Sequence, residues 1–166
     1  MVSPGNPLKP GRGMAPLADR LASARAIADG RRVLATDIEA RLGTRYTVDT
    51  LLLLRTRFPK ARFVWLMGAD NLAQLPLWRR WRQIAAQVAF AVIPRPGYNH
   101  RALAGRAAHR MAGARLPVHE AAALARHAPP RWVFLPAAQN AASATAIRLA
   151  RTGDHDHRPQ APCPTV

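Results

Sequence analysis

The sequence predicts an α/β fold of the Rossmann-like kind, a doubly wound parallel sheet with helices on both faces. Three observations point there. Short apolar runs recur at residues 32–36, 62–67, 88–94 and 132–135, each continuous rather than alternating, which is the pattern of a strand covered on both sides. Segments with helical spacing separate them. The chain has 166 residues, 49% of them hydrophobic, enough for one packed domain.

The elements follow in order. "MAPLADRLASARAIADG" has Pro16 near its start and Gly30 at its end, the punctuation of a helix. The run 32–36 reads as a strand, and "TVDTLLLLRTRF" as a helix that stops before Pro59. After the strand 62–67, "LWRRWRQIAAQ" reads as a helix. Pro76 puts Trp78 near its start, and Trp78 and Trp81, three residues apart, share one face. The strand 88–94 leads to "NHRALAGRAAHRMAG", a helix closed by Gly113. The strand 132–135, a loop and a last helix opening near Ser143 complete a domain over 1–151. Residues 152–166, "TGDHDHRPQAPCPTV", have three prolines and no apolar period and read as a disordered tail.

The net charge of +16 favours anionic partners. Almost all of it is arginine, with Lys9 and Lys60 the only lysines, and alanine is abundant. GC-rich coding produces the same bias, so charge alone does not separate phosphate ligands from nucleic acid. The absence of an 18-residue apolar run argues against a membrane span, and "MVSPGNPLKPGRG" has no apolar signal core. The single cysteine, Cys163, supports neither a disulfide framework nor a zinc site. A soluble cytoplasmic protein is expected. The six histidines show no metal-ligand spacing and read as structural or exposed.

Ligands of such sheets gather at the carboxyl ends of the strands. Four stretches carry chemistry suited to that position. In "SATAIR", residues 143–148, Ser143 suits a helix N-cap, and Thr145 and Arg148 add a hydroxyl and a fixed cation. The stretch is either a polyphosphate cradle or an ordinary capped helix with a surface arginine. In "FVWLMGADN", Gly68 permits close backbone approach, while Asp70 can accept from ribose hydroxyls or cap the next helix. In "TRYTVDTLL", Thr47 and the N–H groups after it can hold a carboxylate or serve as a plain cap, with Asp49 and Thr50 in the same turn. In "LPLWRRWR", Trp78 either joins the core or stacks on an aromatic ligand, and Arg79, Arg80 and Arg82 are solvated or phosphate-facing.

Taken in order, these motifs resemble bacterial nicotinate-nucleotide adenylyltransferases over Val2 to about Arg151. "SPGNPLK" is similar to the family's segment after its second strand, "ATDIEARLGTRYTVDTL" to its nicotinate-carboxylate loop, and "MGADNLAQLPLWRRW" to its ribose and nicotinate segment. "SATAIR" resembles its phosphate motif, which related nucleotidyltransferases share; the pairing of "YTVDTL" with "GADNLAQLPLW" is the more specific match. The resemblance implies adenylyl transfer from ATP to nicotinate mononucleotide, giving deamido-NAD and pyrophosphate, with Mg²⁺ accompanying ATP. It implies that Ser143, Thr145 and Arg148 hold the ATP phosphates, Arg148 being catalytic. Gly68 and Asp70 would line the ATP site, Asp70 on ribose hydroxyls. Thr47 and the Val48 N–H would hold the nicotinate carboxylate, and Trp78 would stack on the pyridine ring. Lys9 sits where the family often has a phosphate-facing basic residue, although the usual histidine neighbour is Leu8 here.

One departure matters. The family opens with Gly-x-Phe-x-Pro-x-His-x-Gly-His after its first strand, and no such motif occurs here. The chain begins where a member would be finishing its second strand, so a sheet without the first strand and helix, and impaired activity of the chain as written, are expected. Two other functions remain open: a related adenylyltransferase, such as one acting on phosphopantetheine, and a non-catalytic nucleotide- or nucleic-acid-binding remnant.

Overall fold

The computed structural model describes residues 1–5 and 14–138. Its centre is a parallel sheet of three strands in the order β1 (Val64–Gly68), β2 (Ala89–Ile93), β3 (Trp132–Phe134). The described residues also form seven α-helices: α1 (Leu17–Ile27), α2 (Ile38–Arg41), α3 (Thr47–Arg57), α4 (Ala69–Gln74), α5 (Trp81–Gln87), α6 (Asn99–Leu103) and α7 (Arg106–Arg110). A nine-residue 3₁₀ segment, Val118–Arg126, precedes β3.

The central strand shows why these runs are strands. Phe90 and Val92 on one face of β2 pack with α3 to α7 through Val48, Leu51, Leu72, Ile84, Ala102 and Ala107. Ala89 and Ala91 on the other face pack with Leu124 of the 3₁₀ segment and Val133 of β3. Alternate residues therefore enter two cores, which demands an apolar side chain at every position and explains the unbroken run. The sheet is covered on both faces there, as the α/β expectation required. The face of β1 that carries Val64 and Leu66 is barer, and Leu66 is 61% exposed.

Three expectations need correction. Residues 32–36 are not a strand. The Asp29 carboxylate accepts the N–H groups of Arg31, Arg32 and Val33 at 2.8–2.9 Å, which curls this stretch into a turn. A single backbone bond, from the Val2 N–H to the Thr36 carbonyl at 2.7 Å, is recorded beyond it. The helix expected over 77–87 begins only at Trp81, because Arg80 adopts a left-handed conformation with φ 51°. Leu75–Leu77 form a 3₁₀ turn around Pro76, and Trp78 follows it in extended backbone. Trp78 and Trp81 therefore do not share a helix face. The helix expected over 99–113 is broken between α6 and α7 at Gly105, where a Cβ would sit 2.9 Å from the Arg101 carbonyl oxygen.

Candidate active site

The register of the sheet brings two loops together. Gly68 pairs with Ile93, so β1 and β2 end level with each other. Two residues beyond each end stand Asp70, in the first turn of α4, and Arg95. Their side chains meet, Arg95 Nε lying 3.3 Å from Asp70 Oδ1. The Arg95 N–H donates to Asn99 Oδ1 at 2.7 Å, which fixes that loop onto the start of α6. Gly68 has no room for a side chain: a Cβ there would collide with Asp70 Oδ1 and press on Arg95 Nε at 3.3 Å. Asp70 Oδ1 is buried, and the contact with Arg95 is an ion pair without hydrogen-bond geometry. The pair is partly exposed and contributes under about 1 kcal/mol to stability. Its consequence is the direction in which the carboxylate is held.

The start of α3 forms the second part. Thr47 is its first residue and half-buried, Val48 is buried, and no side chain caps the helix. Tyr46 O accepts from Asp49 and Thr50, while no backbone bond is recorded to the N–H groups of Thr47 and Val48 among the described residues. These are the free donors that a helix N-terminus offers to an anion. The turn is braced from behind. Buried Thr50 sits 2.7 Å from the Thr44 hydroxyl, donates toward Glu39 Oε1 at 3.4 Å and lies 3.2 Å from the Tyr46 carbonyl. Glu39 is 4% exposed, and its other oxygen is buried without a partner among the described residues.

Trp78 supplies the third part. It is half-buried and packs against the main core, with Trp65 of β1 meeting it edge-on at 6.1 Å between centroids. Its neighbour Arg79 lies over the Tyr46 ring at 4.6 Å. That contact ties the segment after α4 to the residue just before Thr47. Trp78, Tyr46 and Val48 all pack in or against the same core.

Of the residues singled out in the sequence, the structure brings together Gly68 and Asp70 at one strand end, and places Val48 in the main core with Trp78 packed against it. Lys9, Ser143, Thr145 and Arg148, together with the tail 152–166, lie outside the described residues. Of the histidines, His100, His109 and His119 are exposed and His127 is half-buried near Glu120; His155 and His157 are outside the described residues. Three contributors were missed: Arg95, Glu39 and Tyr46. Arg95 was detectable, since it follows a strand end as Asp70 does. Glu39 gave no signal, because a buried carboxylate reads as a solvated one until its neighbours are placed, and Thr50 was read only as a member of the turn. Tyr46 and Arg79 are far apart in sequence, and only the fold pairs them. Among the described residues no three His, Cys, Asp or Glu side chains cluster as a metal site, and no helix is long and apolar enough to cross a membrane.

Comparison with known proteins gives a consistent picture. Residues 1–150 match the cytidylyltransferase-like family model. A probable nicotinate-nucleotide adenylyltransferase of Gluconacetobacter diazotrophicus is 58% identical over 159 residues, covering 96% of this chain and 74% of that protein. Similarly named proteins of Gluconobacter oxydans and Parvibaculum lavamentivorans are 60% and 52% identical over 148 residues, 89% of this chain and 76% and 74% of theirs.

Proposed function

The chain belongs to the nicotinate-nucleotide adenylyltransferases, and on that premise we propose that it transfers the adenylyl group of ATP to nicotinate mononucleotide in the cytoplasm, forming deamido-NAD and pyrophosphate. The observation that carries this reading is the Arg79 contact on Tyr46, which ties the residue after Trp78 to the residue before the free amides of α3. A flat ring bearing a carboxylate needs both at once: a surface to stack on and donors at its edge. Phosphopantetheine has neither feature, so the pairing favours nicotinate.

In this reading the Thr47 hydroxyl and the Val48 N–H take the nicotinate carboxylate, and Trp78 takes the pyridine ring. Asp70, oriented by Arg95, accepts from ribose hydroxyls, and Gly68 lets the nucleotide approach the strand end. Ser143, Thr145, Arg148 and Lys9 are assigned to the phosphates by their motifs alone. A 5′-phosphate oxygen of nicotinate mononucleotide attacks the ATP α-phosphorus in line. The bond from that phosphorus to the bridging oxygen breaks, and pyrophosphate leaves with the electron pair. No protein nucleophile is needed; fixed cations and oriented amides stabilise the charge that grows on the phosphoryl oxygens. Mg²⁺ enters as the counter-ion of ATP, carried by the triphosphate.

Trp78→Ala tests the assignment. Nicotinate mononucleotide binding should weaken by about 1–3 kcal/mol, the worth of a stacked ring, with ATP binding unchanged in titration calorimetry. Equal losses for both ligands would remove Trp78 from the nicotinate site.

A further inference from the structure

The opposite end of the sheet holds a cavity that adenylyl transfer does not use. It measures about 310 Å³ and lies where the strands begin, lined by Arg55 of α3, Arg62 and Phe63 before β1, Gln87 at the end of α5, and Arg126 and Pro129 ahead of β3. The five residues of β1 separate it from Gly68 by roughly 17 Å.

Its charge is unbalanced. Arg55, Arg62 and Arg126 are exposed, and none forms an ion pair or hydrogen bond with another described residue. The nearby carboxylate of Glu120 faces His127, another residue of the cavity wall, at 3.8 Å. The ends of α3, α5 and the 118–126 segment each offer about half a negative charge, which leaves roughly half of the arginine charge unanswered. The wall also contains a buried acceptor: Gln87 Oε1 has no hydrogen-bond partner among the described residues. That atom requires a donor, which a bare anion lacks and a hydroxyl supplies. A second cavity of about 470 Å³ shares Arg55 and Ala61 with the first and is walled by Leu52 and Phe58, which are 58% and 45% exposed.

We propose that this end of the sheet binds a mononucleotide at a site distinct from the adenylyl-transfer centre. The phosphate engages the three arginines, a ribose hydroxyl donates to Gln87 Oε1, and the base lies against Phe58 and Leu52. Guanidinium groups suit phosphoryl oxygens because they donate in a planar fork, and an aromatic and aliphatic wall suits a planar base.

The test is titration of AMP into the ¹⁵N-labelled full chain, followed by amide shifts, with thermal unfolding as a control. The expected result is saturable shifts at Phe63, Gln87, Arg126 and His127. Arg62→Glu combined with Arg126→Glu, both at exposed positions, should raise the apparent Kd there about ten- to a hundredfold, the worth of charge-assisted hydrogen bonds. Gln87→Leu should weaken AMP and leave inorganic phosphate binding unchanged. Shifts confined to the surroundings of Gly68 and Asp70, or cavity shifts that survive the charge reversal, would overturn the proposal. The charge-reversed protein should keep its rate of pyrophosphate release, so failure at this site is separable from failure of the adenylyl-transfer reading.

Discussion

Gly68 shows how a single missing Cβ can organise a site. It ends β1, and the space a side chain would take is occupied by Asp70 Oδ1 and Arg95 Nε. Gly68→Ala should force the ion pair apart and cost about 1–3 kcal/mol as overpacking, seen as a lower midpoint in thermal unfolding; an unchanged midpoint would mean that the two loops are free to separate. Asp29 shows a different kind of local control. The N–H groups of Val33, Arg31 and Arg32 hold its carboxyl below the usual carboxylate value of 3.8. A depressed folded pKa stabilises the turn above the unfolded value, and that contribution is lost as pH falls through the folded one. The Asp29 carboxyl resonance should therefore titrate with a midpoint below 3.8. The amides of Arg31 to Val33 should move with it; a midpoint at or above the ordinary value would refute the turn.

At the scale of elements, β1 has two unlike faces. Met67 is 4% exposed and packs in the main core, whereas its neighbour Leu66 is 61% exposed. Met67→Ala should cost about 2–5 kcal/mol by leaving a cavity, and Leu66→Lys should change stability by less than about 0.5 kcal/mol. Denaturant unfolding of both variants checks this, and a large loss at Leu66 would mean that the bare face is covered in solution. The same contrast explains which elements could be read in advance. Residues 88–94 announce a strand because both faces of β2 are covered, so composition alone carries the signal. Residues 32–36 hold only Val33, Leu34 and Ala35 between Arg32 and Thr36, whether so short a run pairs depends on neighbours far away in sequence, and the nearby Asp29 captured its turn. The start of α5 was hidden for a local reason. Nothing in "LWRRWR" marks Arg80 as the left-handed residue, and that one dihedral moves Trp78 off the helix.

The whole molecule places chemistry at the strand ends because parallel strands leave their loops there together. That rule made Gly68 and Asp70 legible from sequence, and helix punctuation made Thr47 and Val48 legible. Arg95, Glu39 and the Tyr46–Arg79 contact depend on packing between separate segments, which no local pattern encodes. In the proposed function the free amides of α3 and the Trp78 ring receive nicotinate mononucleotide for attack on ATP. The most direct measurement is pyrophosphate release from the full chain with ATP and Mg²⁺, with nicotinate mononucleotide or phosphopantetheine as acceptor and deamido-NAD followed by chromatography. Release should require nicotinate mononucleotide, match deamido-NAD mole for mole, and fall on substitution of Trp78 by alanine. Release that ignores nicotinate mononucleotide, or prefers phosphopantetheine, would contradict the proposed function.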